Sequence, residues 1–217
     1  MERRQDCWYN EVCQMDCECS SCVRFSEMKF LMEHSGLPET KQKPVKLIPE
    51  DCDYDAFTLL QYIKDDIVRH VESGKSLYIA STNTGNGKTS WAIKLLLKYF
   101  DEVWAGNGFR VRGVFVHVPT LLLQLKDFDN PLSKEYRDSL LNADFVVWDE
   151  IASNGISNYD YSQLLMYIDR RVFNDKFNVY TGNYITREEL VKVYGNRLAS
   201  RIWNLSDVVI LNGKDRR

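Results

Sequence analysis

Residues 76–100, SLYIASTNTGNGKTSWAIKLLLKYF, restrict the possible folds of this chain more than any other stretch. A short apolar run, a loop with two glycines and a lysine, and then an apolar-periodic run predict strand, loop and helix in immediate succession. Gly85 and Gly87 allow the backbone to curl until its N–H groups face a phosphate. Lys88 is placed to reach β- and γ-phosphates, and Thr89 to ligate Mg²⁺. The helix opening there adds the positive end of its dipole. The expected nucleotide-binding set is therefore Thr84, Gly85, Asn86, Gly87, Lys88, Thr89 and Ser90. One residue departs from a full GxxxxGK[ST] loop. Thr82 stands where the first glycine belongs, at a turn that a small polar residue can still make.

The segment ADFVVWDEIAS, residues 143–153, supplies the acidic counterpart. An apolar strand delivers Asp149 and Glu150 at its C-terminal end, the edge at which open α/β sheets bind ligands. Asp149 is expected to hold Mg²⁺ through water, and Glu150 to orient or deprotonate the water that attacks a γ-phosphate. Asn183 leaves the strand FNVYT, where an amide can hydrogen-bond that water or the γ-phosphate. A strand ending in Asp-Glu is common and an Asn at a strand exit is usually a turn residue. Joined to the phosphate loop, they favour nucleotide hydrolysis.

Strands are expected at 76–80, 113–118, 144–148, 177–181 and 207–211. Helices are expected near 88–100, 119–127, 133–142, 159–173 and 186–201. Another is marked by Phe57, Leu60, Ile63, Ile67, Val68 and Val71 and stops at Ser73 and Gly74. Continuous apolar strands alternating with helices predict an α/β fold: a parallel five-stranded sheet with helices on both faces, of the P-loop NTPase, RecA-like kind.

Five of the six cysteines fall between positions 7 and 22. Cys7, Cys13, Cys17, Cys19 and Cys22 offer five thiolates for the four places of a tetrahedral Zn²⁺ site, with Cys19-x-x-Cys22 at knuckle spacing and Cys13-x₃-Cys17 as the other close pair. Disulfides and an iron-sulfur cluster are the alternatives. Phe25, Met28, Leu31 and Met32 recur at helical spacing behind them. The expected organisation is a Cys-rich zinc-binding segment with a helix at 1–35, a proline-interrupted linker at 36–52 and an ATPase domain at 53–217.

No run of 18 or more apolar residues and no signal-peptide core occurs, so cytoplasmic placement is the expectation. A formal net charge of −3 gives no global attraction to a polyanion, so nucleic-acid contact has to come from a local basic patch. Arg110 and Arg112 beside Phe109, with Lys126 beside Phe128, interleave basic and aromatic side chains as a single-strand groove does; helix core and turn roles fit the same positions.

The motifs TGNGKT (84–89), VVWDE (146–150), TGN (181–183) followed by ITREEL, and YGNRLASRIWN (194–204) leading to VVILNGKDRR resemble those of the AAA+ ATPases of the bacterial and phage replicative helicase-loader group. This is the DnaC/DnaI type, with its transposition relative IstB. The resemblance runs from about residue 75 onward. It implies that Arg201, or else Arg197, is the arginine finger inserted into a neighbour's ATP site, and that Arg217, or else Arg216, senses nucleotide. On one helical face, Arg197 and Arg201 also fit a surface ion-pair stripe. It implies a lidless domain that closes its ATP site with a neighbour and self-associates into a spiral or ring with ATP. It further implies a DnaB-type helicase as partner, single-stranded DNA as the track, and a phage or mobile-element source in a bacterial cytoplasm. A transposition-helper ATPase and a nucleotide-binding helicase regulator with little hydrolysis are the alternative functions.

Overall fold

The structure, a computed structural model, describes residues 7–9, 13, 21–43, 45–127, 129, 131–151 and 156–215. The five apolar runs form β1 (Ser76–Ala80), β2 (Gly113–His117), β3 (Phe145–Asp149), β4 (Phe177–Gly182) and β5 (Ser206–Ile210). Every pairing is parallel, and the spatial order is β2-β3-β4-β1-β5. Each strand begins or ends within one residue of its expected place.

The two-residue period of a strand divides the core into two layers. Leu77, Ile79, Phe115, Phe145, Val147, Phe177, Val179 and Val209 face one side. There they pack against α1 (Val23–Glu33), α2 (Tyr54–Asp65), α3 (Ile67–Ser73) and α4 (Lys88–Val103). Tyr78, Ala80, Val114, Val116, Val146, Trp148 and Tyr180 face the other. That side is covered by α5 (Val118–Gln124), α6 (Lys134–Asn142), α7 (Asn158–Phe173) and α8 (Arg187–Ala199). Met28, Leu31 and Met32 of α1 belong to the same apolar cluster as Leu60 of α2 and Leu95 of α4. Between α1 and α2 the chain runs against the domain: Leu37 is buried, Leu47 packs on the core, and Ser35 O accepts from Phe115 N at 2.6 Å.

Two expected helices are interrupted. The run predicted from Phe57 to Ser73 leaves helical geometry at Asp66 (φ −119°, ψ 39°), so it becomes α2 and α3. Asp is a weak helix former because its carboxylate competes with backbone bonding. α8 is broken at Gly195 (φ 68°, ψ 168°) and runs on through a π-helical turn at Ser200–Asn204. The starts of α7 and α8 are fixed by reciprocal caps, Ser157 with Asp160 and Thr186 with Glu189.

One fully buried cation ties the second layer to the sheet. Arg171 of α7 donates from Nε to Asn178 Oδ1 (2.7 Å), from Nη1 to Leu140 O (3.0 Å) and Ala143 O (2.8 Å), and from Nη2 to Phe177 O (2.8 Å). Trp148 Nε1 donates to the same Asn178 oxygen at 3.1 Å.

Candidate nucleotide site

Because all five strands run in one direction, their C-terminal ends meet at one edge. The pairings Ala80↔Gly182 and His117↔Asp149 set the heights of the side chains there. The loop 81–87 leaves β1 at that edge, between β4 and β5. Gly87 has φ 105°, a conformation an L side chain rarely adopts, and it caps α4 with no side-chain hydrogen bond. The first-turn N–H groups of α4 are thereby left to an anion. Lys88 Nζ donates to Asn83 O at 2.7 Å, folded back over the loop.

Sixty residues along the chain, β3 brings Asp149 against this helix. Thr89 Oγ1 donates to Asp149 Oδ1 at 2.7 Å, and Thr181 Oγ1 of β4 donates to the same oxygen at 2.7 Å. Burial lifts the Asp149 carboxyl above the usual carboxylate range, and the Thr181 and Thr89 hydroxyls pull it back. A mostly buried carboxylate beside a threonine hydroxyl at a helix N-terminus gains from a divalent cation, so these residues fit Mg²⁺.

Glu150 follows with φ 56°, left-handed for a residue that has a Cβ. Such a backbone costs about 1–3 kcal/mol and persists where its surroundings hold it. Thr181 does so here: its hydroxyl accepts from Glu150 N at 3.0 Å and its carbonyl from Ile151 N at 2.9 Å. The Glu150 carboxylate projects to solvent, 3.3 Å from His117 Nε2. His117 Nδ1 in turn lies 2.8 Å from Thr120 Oγ1.

The expected residues therefore separate into groups. Lys88, Thr89, Asp149 and Glu150 come together at the sheet edge, and Asn183 is exposed just after β4. Asn86 is buried and donates to Ser81 Oγ and to Leu211 O (3.2 Å), so its side chain braces the loop from inside. Arg197 and Arg201 both bind Asp169 of α7, at 2.6 Å and 2.7 Å. Arg110 and Arg112 precede β2, at the sheet edge opposite the phosphate loop, and both pair with Asp144 at 2.7 Å. Lys126 pairs with Asp160 at 2.8 Å. Phe128, Arg216 and Arg217 lie outside the described residues, as do Cys17 and Cys19. Among the described residues no three His, Cys, Asp or Glu side chains gather as a metal site. Cys7, Cys13, Cys22 and Cys52 are free thiols.

Sequence reasoning missed Thr181 and His117. Both stand within one residue of the end of a strand predicted to reach this edge, so a search of every strand end would have found them.

Thr82 is exposed and its φ is not positive, so the turn leaving β1 makes no demand for glycine. Thr82→Gly is expected to leave ATP affinity within about twofold and to lower stability by about 0.4–1 kcal/mol through the freer unfolded chain. A tenfold gain in affinity by titration would show that threonine strains the loop.

No family model and no curated protein matches the sequence. Among solved structures, the chain is similar to the DnaC helicase loader, at 19% identity and a TM-score of 0.67 over 81% of this chain and 100% of that one. It is similar to DnaI, at 17% identity and a TM-score of 0.63 over 83% and 94%. AMPPCP-bound DnaA from Aquifex aeolicus shares 13% identity and a TM-score of 0.58 over 78% of this chain and 50% of that one. At these identities the likeness establishes the fold alone: the five-stranded parallel sheet with helices on both faces is shared with these replication proteins.

Proposed function

We propose that this protein is an ATP-dependent loader of a DnaB-type hexameric replicative helicase onto single-stranded DNA. The observation that carries the reading is the meeting of Lys88, Thr89, Asp149 and Glu150 at one sheet edge, within a fold shared with a helicase loader and with a DnaA that binds an ATP analogue. The triphosphate of ATP would lie across Gly85 to Thr89. Thr89 and Asp149 would hold Mg²⁺, which neutralises phosphate charge when bound. Glu150 would take the proton of the attacking water, steered by His117. Arg201, or Arg197, would leave Asp169 for the γ-phosphate of a neighbouring subunit in an ATP-ordered spiral or ring, and Asn183 would contact the water. In this reading residues 53–217 form the ATPase domain, four of the five N-terminal cysteines hold zinc, and Arg216 or Arg217 senses the nucleotide.

The test is capture of a purified replicative helicase. Capture is expected to depend on ATP, to be lost with Lys88→Ala, and to weaken with Cys22→Ser. Capture indifferent to both ATP and Lys88 rejects the loader, and filaments that form only on duplex DNA point to a transposition helper instead. Elemental analysis finding no zinc in the same preparation removes the metal from the reading.

A further inference from the structure

The phosphate loop is held from outside by a chain of contacts that reaches back toward the N-terminal part. Asp53 stands at the N-cap position of α2, yet its carboxylate does not cap that helix. It is fully buried, and it accepts instead from the backbone N–H groups of Asn212 (2.6 Å, Oδ1) and Gly213 (3.0 Å, Oδ2). The approach is so close that any Cβ at residue 213 would overlap the carboxylate. Glu50 Oε1 accepts from the next N–H, that of Lys214, at 3.3 Å. Hydrogen bonds from N–H groups to a buried carboxylate are charge-assisted and among the stronger ones.

The pinned tail then holds the loop. Asn83 Nδ2 donates to Asn212 O (3.2 Å) and Gly213 O (3.0 Å), Asn86 Nδ2 donates to Leu211 O, and Thr84 Oγ1 donates to Asp215 Oδ2 (3.2 Å). Leu47, from the segment that leads to Asp53, lies over Gly87, where a Cβ added to the glycine would meet its Cδ2 at 3.7 Å. Glu50, Asp53, the tail and the loop thus form one bonded unit, although they are more than a hundred residues apart in sequence at the Asp53 contact.

We infer that Asp53 is a positioning residue for the nucleotide site: it fixes residues 212–214, whose carbonyls orient Asn83, directly after the Leu211 carbonyl that holds Asn86, and so sets the phosphate cradle. Through it the segment 45–53, which leads into α2, regulates nucleotide affinity. This rests on the proposed nucleotide site.

The experiment uses the full chain and a fluorescent ATP analogue, titrated well below the melting temperature. Asp53→Asn and Asp53→Ala are expected to weaken ATP binding at least tenfold. Leu31→Ala, in the core of α1 away from the loop, serves as a control of comparable melting-temperature loss and is expected to hold affinity within twofold. Adding Asn83→Ala to Asp53→Ala should weaken binding little further, because both cut one path. Affinity unchanged in the Asp53 variants, or a loss equal to that of Leu31→Ala, overturns the inference while leaving the nucleotide site standing. Wild-type protein that binds no analogue overturns both. If neither Asp53 variant folds, Asn83→Ala alone decides, since it breaks the link from the exposed loop side: a tenfold loss supports the inference, and unchanged affinity rejects it.

Discussion

Glu150→Gln is expected to lower ATP turnover by about 10²–10⁴-fold while leaving ATP affinity and melting temperature almost unchanged. The glutamine keeps the size and an oxygen acceptor toward His117 Nε2, but it cannot accept a proton. The side chain is exposed, so its replacement removes no packing. The left-handed backbone at φ 56° is held by Thr181, which the substitution does not touch. Steady-state phosphate release and analogue titration separate the two quantities, and unchanged turnover would remove Glu150 as the base. The same assay tests the finger role proposed for Arg201. Arg201→Ala is expected to lose on the order of 10³-fold in turnover. Mixing the two inactive variants should restore part of the activity, because a site with an intact Glu150 then meets a neighbour with an intact Arg201. Failure of the mixture to recover places Arg201 in its ion pair with Asp169 and outside catalysis.

The largest effect on stability is expected at Arg171. Arg171→Met should cost about 3–5 kcal/mol, read from urea unfolding, with a fall in melting temperature on the order of 10 °C. The guanidinium is fully buried and has no carboxylate bonded to it; four oxygens satisfy it. Burial pulls its pKa down to about 9, opposed by the field of Tyr180 and Asp144, so at neutral pH it is still a cation. Methionine fills much of the volume, yet it removes the donor that Arg171 supplies to the carbonyls of Leu140, Ala143 and Phe177, hydrogen bonds lost in a dry core. A loss below about 1 kcal/mol would mean that water or a backbone shift replaces the guanidinium.

Arg171 also marks a limit of sequence reading. In the run YSQLLMYIDRRVF it is one of two adjacent arginines, and helical periodicity does not say which is inside. Only the place of α7 over β4 does. Asp53 is similar, since at a helix start it reads as a cap while its carboxylate serves the tail. For Arg197 and Arg201, the four-residue spacing put both on one face, and the structure adds that Asp169 is the carboxylate they share.

What the sequence determined by itself was local. Continuous apolar runs located five strands, 3.6-residue apolar periods most helices, and the string TGNGKT specified a helix entered through a left-handed glycine. Each of these depends on interactions within a few residues. Tertiary structure decided what lies beside what: β3 and β1 flank β4, so Thr181 can bridge Asp149 and the Glu150 backbone, and β5 beside β1 lays residues 211–215 along the phosphate loop. Strand order is set by how the whole core closes over both faces of the sheet. No local period carries that information, and the functional edge exists only once the sheet has formed.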